Sequence, residues 1–264
     1  MKSTLDDYKR VNHITGQPNF NTPPELPNKG SMNLLIWNCR GVGKNTFKRN
    51  MRDLIRNHKP YMIILMETKV TFSSMGTFFN NLGFTASSNV DLNGRAGGIW
   101  LLWEPSQVSI IVFEANHQVI HATINRVDYE EWVPSTVYAS PNPRNRDALW
   151  EGIEAISEDI QSPWLVAVDF NDFANQGERR SFIPNTNTSR NSKFLEKLSN
   201  FNLMGMGCSG PKLTWTNNRQ GLANTKEKLD RALFNTQWMN AFPESCVWNL
   251  PQTYSNHASL VVYI

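Results

Sequence analysis

Trp164-Leu165-Val166-Ala167-Val168-Asp169-Phe170-Asn171-Asp172 is an apolar run that stops abruptly on a carboxylate, an amide and a second carboxylate. A run this short, rich in Val and bounded by turn-forming residues, predicts a buried β-strand whose exit carries chemistry. The same design recurs on both sides of it. Leu34-Leu35-Ile36-Trp37 ends on Asn38, Ile63-Ile64-Leu65-Met66 on Glu67, and Ser135-Thr136-Val137 on Tyr138. Further on, Lys228-Leu229 leads into Asp230, and Tyr254-Ser255 leads into Asn256 and His257.

The wider pattern is strand-rich. Strand-like runs lie at 34–37, 62–66, 98–103, 108–113, 119–124, 132–138, 164–170, 213–216, 229–234, 246–250 and 260–264. Helical faces lie between some of them: Phe47, Met51, Leu54, Ile55 and His58; then Leu149, Ile153, Ile156 and Ile160; then Phe194, Leu195, Leu198 and Phe201. This alternation predicts two packed sheets with helices outside them. Residues 1–31 contain Pro18, Pro23, Pro24 and Pro27 and no apolar periodicity, so they read as a disordered tail before a domain over 32–264.

Composition narrows the class. With 264 residues, 40% hydrophobic and 19% charged, the chain can bury a full core. No apolar stretch approaches the ~20 residues of a membrane helix, and no secretory signal opens the chain, so no membrane partner is expected. Cys39, Cys208 and Cys246 are odd in number and far apart, which argues against a disulfide framework and a zinc site, and for a reducing nuclear or cytoplasmic location. A net charge of +3 without a long basic run is compatible with a polyanion and decides nothing alone.

Strand ends collected at one sheet edge would pool these carboxylates, amides, phenol and imidazole in one cleft. Oxygen donors of this kind suit a hard cation, and a histidine beside a carboxylate suits proton transfer, so the set points to phosphoester hydrolysis. Each residue also has an ordinary alternative. Asn38 could form a turn, Glu67 could be solvated, Tyr138 could pack with its hydroxyl at a rim, Asp230 could pair with Arg231, and His257 could be a satisfied core histidine.

Order separates the two readings. Trp37-Asn38-Cys39-Arg40-Gly41, Met66-Glu67-Thr68, Tyr138-Ala139-Ser140-Pro141-Asn142, Asp169-Phe170-Asn171-Asp172, Leu213-Thr214-Trp215-Thr216-Asn217, Leu229-Asp230-Arg231-Ala232-Leu233 and Ser255-Asn256-His257 occur in succession. On these motifs the chain resembles the endonuclease domain of plant LINE-type (non-LTR) retrotransposons, a branch of the endonuclease/exonuclease/phosphatase superfamily that includes abasic-site endonucleases and deoxyribonuclease I. The resemblance covers 32–264. It implies a four-layer α/β sandwich of two mainly antiparallel sheets with helices on the outer faces. It also implies an intracellular monomer that nicks double-stranded DNA with Mg²⁺ (Mn²⁺ substituting) and leaves a 3′-hydroxyl and a 5′-phosphate. Members of that family are usually fused to a reverse transcriptase, a region this sequence does not include.

The resemblance also assigns roles. Glu67 is the principal metal ligand, and Asn38 assists at the metal or phosphate. Tyr138 and Asn171 stabilise the pentacoordinate phosphate, and Asp169 activates water or handles the leaving-group proton. His257 contacts the scissile phosphate with Asp230 orienting its ring. Two positions depart from the family: Val168 stands where Gly is usual, and Asn256 stands where an Asp beside the metal is usual. DNA contacts are expected from Arg40, Arg95, Arg144 and Arg146, and from a hairpin at 217–228 between the strands at 213–216 and 229–234, through Asn217, Asn218, Arg219, Lys226 and Lys228. Asn256 keeps a second reading open, a catalytically impaired remnant that still binds DNA. A small-substrate or lipid phosphatase of the same fold is the third. The Leu213–Asn217 and Leu229–Leu233 motifs disfavour it.

Overall fold

Two parallel crossovers set the frame. The computed structural model describes residues 32–92, 97–127, 129–184 and 188–264, without the side chains of 168 and 188–190. The tail at 1–31 and Arg95 lie outside the described residues. Strand β1 (Asn33–Asn38) passes through helix α1 (Asn45–His58) into the parallel strand β2 (Met62–Met66), with Asn38 in register with Met66. In the other half, β7 (Val133–Tyr138) passes through the next long helix, Pro143–Asp159, into the parallel β8 (Trp164–Asp169), with Tyr138 in register with Asp169. In each unit both strands therefore deliver their carboxyl ends to the same edge, where open α/β sheets place their ligands.

The remaining strands extend these units into sheets. The elements between the two units are the short helix α2 (Gly76–Asn80), then β3 (Ala86–Val90), β4 (Ile99–Trp103), β5 (Ser109–Asn116) and β6 (Val119–Asn125), so Pro143–Asp159 is α3. After β8 come β9 (Arg179–Ser181), α4 (Thr188–Asn200), β10 (Met204–Gly205), β11 (Cys208–Ser209), β12 (Trp215–Thr216), β13 (Thr225–Glu227), β14 (Asp230–Phe234), α5 (Thr236–Ala241), β15 (Cys246–Asn249) and β16 (Leu260–Tyr263). The first sheet has the order β11-β15-β16-β1-β2-β4-β3, the second β10-β14-β8-β7-β6-β5, and a small third sheet β12-β13-β9. Most neighbouring pairs are antiparallel. The exceptions are β1–β2, β7–β8 and β11–β15.

Alternation along the strands sorts the core into three layers. Leu34, Ile36, Met62, Ile64, Leu165, Ala167, Ile120 and Trp132 meet between the two large sheets. Leu35, Trp37, Ile63 and Leu65 turn to the opposite face and pack under Phe47 and Met51 of α1 and Phe79 of α2. Val133, Val137, Trp164 and Val166 face outward under Leu149, Trp150 and Ile153 of α3 and Phe194 and Leu198 of α4. The result is the four-layer α/β sandwich anticipated above. Both β-strands of each crossover are buried on two sides, which is why they read as unbroken apolar runs.

Several boundaries differ from expectation. Leu195, placed on the buried face of α4, is 46% exposed, while Phe194, Leu198 and Phe201 are buried. The hairpin at 217–228 does not return along 229–234. Trp215 pairs with Glu227 and Thr216 with Lys226, so β13 closes the hairpin, and β14 belongs to the second sheet beside β8. A local cap explains where α3 starts: the Asn142 side chain accepts from Arg144 N at 3.1 Å and Pro143 occupies the first turn.

Candidate active site

Asn38, at the end of β1, sits between two carboxylates. Its Nδ2 donates to Glu67 Oε1 at 3.0 Å and to Asp169 Oδ2 at 2.8 Å, joining the exits of β1, β2 and β8 across the sandwich. It is fully buried, so the alternative of a plain surface turn is gone.

Glu67 reaches this position by a backbone reversal. The β1–β2 ladder continues beyond it through Cys39 N to Met66 O at 3.1 Å and Val42 N to Thr68 O at 3.1 Å, while Glu67 itself takes φ 51°. A left-handed conformation costs a non-glycine residue roughly 1–2 kcal/mol, and strain of this kind collects at functional sites. The turn is accommodated by Gly98, whose φ is +90° and whose missing side chain leaves room for the Thr68 hydroxyl. Arg40 Nε and Lys69 Nζ approach Glu67 Oε2 at 3.4 and 3.1 Å. Burial pushes the Glu67 carboxyl up, but the Asn38 amide, Arg40 and Lys69 together outweigh it and hold the group below its ordinary value.

Asp169 is more enclosed, with no exposure. It accepts Asn171 N at 2.9 Å, and its register partner on β14 is Asp230. Burial, opposed by His257 and reinforced by Asp230, pushes the Asp169 carboxyl up to about 6. His257 Nδ1 lies 3.1 Å from both oxygens of Asp230 and 3.8 Å from Asp169 Oδ2. Burial lowers the His257 pKa, yet the charges of Asp230 and Asp169 overcome it and hold the ring above its ordinary value. Because Nδ1 is taken by Asp230, Nε2 is the nitrogen left for a substrate. Tyr138 closes the cleft from the end of β7; burial first, then the charges of Glu67 and Asp169, keep its hydroxyl protonated. Asn171 takes φ 49°, which asparagine tolerates, and its Nδ2 donates to Ala139 O at 2.8 Å beside Tyr138.

Glu67, Asp169 and His257 each offer one donor atom, and these atoms lie within 4.8 Å of one another. Among the described residues this is the group of His, Cys, Asp and Glu donors able to hold a metal ion. Two buried carboxylates bridged by an amide suit a hard divalent cation, and Arg40 and Lys69 occupy the position of a countercharge. Asn256 stands at the rim: its Oδ1 accepts from Arg40 Nη1 at 3.3 Å and its Nδ2 donates to Thr216 O at 2.7 Å. An aspartate there would lose the second bond, so the exchange is less neutral for stability than shape suggests. The Val168 side chain lies outside the described residues.

The expected DNA-contact residues divide. Arg40, Arg144, Asn218, Arg219 and Lys226 are exposed. Arg146, expected on the DNA track, is instead 4% exposed, donates to Ser140 O at 2.9 Å and faces Asp172 at 3.6 Å, bracing the Tyr138 loop. Asn217 is spent on its own hairpin, accepting from Thr225 N and Arg219 N at 3.1 Å and donating to Ala223 O at 2.9 Å. Lys228 leans on Glu178 at 3.9 Å.

Three positioning residues escaped the sequence reading. Thr214 Oγ1 accepts from Leu229 N and Asp230 N at 3.1 and 3.0 Å, and Thr214 O accepts from Ala258 N at 2.7 Å, so one residue sets both halves of the Asp230–His257 pair. Ser255 Oγ donates to Asn38 O at 2.9 Å and accepts from His257 N at 3.1 Å. Gly98 is the third. The first two sit inside motifs already quoted; Gly98 had no signal beyond the Gly-Gly pair. Cys39, though beside the site, is an inert thiol: burial pushes it up to about 12.

No curated protein sequence matches the chain. Among solved structures, the fold is shared with the endonuclease domain of TRAS1, a telomere-specific non-LTR retrotransposon, at TM-score 0.65 and 13% identity over 88% of this chain and 98% of that one. It is shared with the AP endonuclease LMAP of Leishmania major at TM-score 0.64 and 14% identity over 89% and 87%. The 3′ phosphatase NExo of Neisseria, bound to a product DNA hairpin, gives TM-score 0.63 and 14% identity over 88% and 98%. The family model described as the Endonuclease/Exonuclease/phosphatase family matches residues 35–257, a span from within β1 to the histidine of the cleft. The chain belongs to the endonuclease/exonuclease/phosphatase family.

Proposed function

We propose that this protein is a Mg²⁺-dependent DNA endonuclease that nicks one strand of double-stranded DNA, leaving a 3′-hydroxyl and a 5′-phosphate, and that it derives from a LINE-type retrotransposon of the plant branch. The observation that carries the reading is the convergence of Asn38, Glu67, Asp169, Asp230 and His257, from five strand ends or loops, into one buried hydrogen-bonded cluster. The retroelement origin rests on the seven ordered motifs. The double-stranded partner is supported by the exposed cations Arg40, Arg144, Arg219 and Lys226.

Glu67 and Asp169, with Asn38 between them, would hold Mg²⁺, or Mn²⁺ in its place. The bound cation supplies Lewis-acid stabilisation of charge on the phosphate. The chain's own groups do the rest. Asp169 accepts the proton of the attacking water as the P–O3′ bond breaks, and the departing 3′ oxygen takes a proton from solvent to become the 3′-hydroxyl. His257, held by Asp230 through Nδ1, presents Nε2 to a phosphoryl oxygen. Tyr138 and Asn171, at adjacent strand exits, offer a hydroxyl and an amide to the oxygens on which negative charge grows. Thr214 and Ser255 fix the distances over which this occurs.

Relaxation of supercoiled plasmid, with and without Mg²⁺, tests the proposal. Open circles appearing only with Mg²⁺, and ligatable by DNA ligase, are expected; an intact protein that leaves the plasmid supercoiled at every Mg²⁺ and Mn²⁺ concentration defeats it. That outcome would favour the impaired, DNA-binding remnant, whose supporting observation is that Asn256 is committed to Arg40 and Thr216.

A further inference from the structure

The small sheet β12-β13-β9 carries a charge arrangement that the active site does not use. Arg180 on β9 stands directly opposite Lys226 on β13, and Lys226 stands opposite Thr216 on β12. Like charges facing each other across a strand pair are unfavourable. Their neighbours on the other face are neutralised: Arg179 Nε contacts Glu227 Oε1 at 3.0 Å, and Ser181 bonds Thr225 at 2.8 Å. Arg180 and Lys226 are exposed, and among the described residues neither has a carboxylate partner. The row therefore presents uncompensated positive charge on one face only.

An aromatic ring accompanies it. Phe182 is 74% exposed, and Arg180, Phe182, Gly221, Asn224 and Lys226 line an open cleft of about 260 Å³. Phe182 is not exposed through looseness of its backbone. Arg179 Nη1 donates to Ile183 O at 2.7 Å and Ile183 N donates to Ser181 Oγ at 3.1 Å, pinning the turn on both sides of the ring. A large apolar ring carried into solvent by a pinned turn, beside two cations without a carboxylate partner among the described residues, fits a ligand with a flat face and a negative charge. The row also points at the chemistry. Thr216 N donates to Asn256 O at 3.0 Å, one residue before His257, and adjacent strands stand ~4.8 Å apart, so Arg180 lies roughly 10 Å along the row from Thr216.

We infer that the Arg180–Phe182–Lys226 cleft binds an unpaired nucleotide of the DNA strand next to the scissile bond, its base stacked on Phe182 and its phosphate between Arg180 and Lys226. A paired base hides its face in the duplex stack, so this cleft makes the enzyme favour sites with unpaired DNA beside the cut. The inference rests on the endonuclease reading for its substrate, and it specifies which DNA structure that site selects.

The test is equilibrium binding in EDTA, which removes cleavage from the readout. Fluorescence anisotropy is followed for an oligo-dT of about 12 nucleotides, a blunt duplex, and the same duplex with an unpaired dT tail, a length matched to single-strand sites of roughly 4–16 nucleotides. The wild type is expected to bind the tailed duplex about tenfold more tightly than the blunt one. Phe182→Ala should bring that ratio close to one, Phe182→Trp should keep or raise it, and Arg180→Ala with Lys226→Ala should flatten the salt dependence of oligo-dT binding by about one phosphate's worth, ~0.7 in log–log slope. Circular dichroism confirms that each variant is folded. A wild-type ratio of one, or a ratio that survives all these variants, overturns the inference while plasmid nicking stands. A plasmid left intact by a protein that still prefers the tailed duplex instead removes the catalytic reading and supports the cleft. A wild type that binds none of the three DNAs overturns the inference, and plasmid relaxation alone decides the nicking.

Discussion

Two buried histidines in this protein have pKa values shifted in opposite directions, and their surroundings explain why. His257 is 2% exposed and His121, on β6, is 1% exposed. Against His257 stand Asp230 and Asp169, which lift its pKa despite burial. Against His121 stands a hydroxyl. Trp164 Nε1 can only donate, and it lies 2.7 Å from Ser135 Oγ; Ser135 therefore donates onward to His121 Nδ1, also at 2.7 Å. The other ring nitrogen, Nε2, is buried without a partner among the described residues, and burial lowers the His121 pKa to about 4. Burial alone lowers the pKa of a histidine, whereas two facing carboxylates raise that of an equally buried one.

The comparison breaks most visibly through chemistry. His257→Ala is expected to lower Mg²⁺-dependent nicking by about 10³-fold, within the range for a lost acid/base group, whereas His121→Phe should leave the rate within about twofold. Initial rates of plasmid relaxation check both, and equal losses in the two variants would erase the distinction.

Acid separates them next. The folded pKa of His121 lies below its ordinary value of 6.5, at about 4. Between those values the unfolded chain binds more protons than the folded one. Stability therefore falls as pH drops from about 6.5 to about 4, by up to ~3 kcal/mol, and then levels. His257 has the opposite sign: its raised folded pKa contributes stability that is complete below the unfolded value and is lost as pH rises through the folded one. Urea titrations of metal-free protein across this range should show a shallower acid slope in His121→Phe. An unchanged slope would assign the acid sensitivity to other groups.

Two positions at the candidate cation site sharpen the contrast further. Glu67→Gln removes the charge that faces Arg40 and Lys69 and is expected to raise the Mg²⁺ concentration for half-maximal nicking about tenfold, or ~1.4 kcal/mol. Smallest is Asn256→Asp. It should lower that Mg²⁺ concentration a few-fold by engaging Arg40 and restoring a charge near the cation, at a stability cost of ~1 kcal/mol for the donor lost to Thr216. Coincident Mg²⁺ curves for Asn256→Asp and the wild type would place position 256 outside the cation's reach.

The fold was legible where burial is two-sided. Met62–Met66 is buried at every position, and the apolar run ends where the strand ends. Strand β3, Ala-Ser-Ser-Asn-Val at the sheet edge, was missed because an edge strand with mixed burial needs no alternation of apolar residues. Strands β9 and β13 are too short to show a period, and their pairing moved the return of the hairpin away from 229–234. At the site, polar groups terminating apolar runs were visible, since their side chains do the work. Thr214 and Ser255 were not, because they act by holding backbone atoms that a sequence does not display. Arg146 looked like a phosphate contact for the same reason: nothing in its neighbours announced that Ser140 O and Asp172 would enclose it.

The seam between β1 and β16 also has a consequence in time. Asn38 and Glu67 come from the first two strands, Asp169 follows from β8, and His257 enters just before β16, hydrogen-bonded through Ser255 to the carbonyl of Asn38. A growing chain therefore displays the acidic pair long before the imidazole exists. At ordinary synthesis rates of ~5–20 residues per second, His257 is added roughly 4–18 s after Asp169. Only when β16 docks along β1 does the last group enter the cleft. The cleft is thus completed only after His257 has been made, and a chain interrupted before Ser255 would carry Glu67 and Asp169 without the imidazole that the proposed cutting requires.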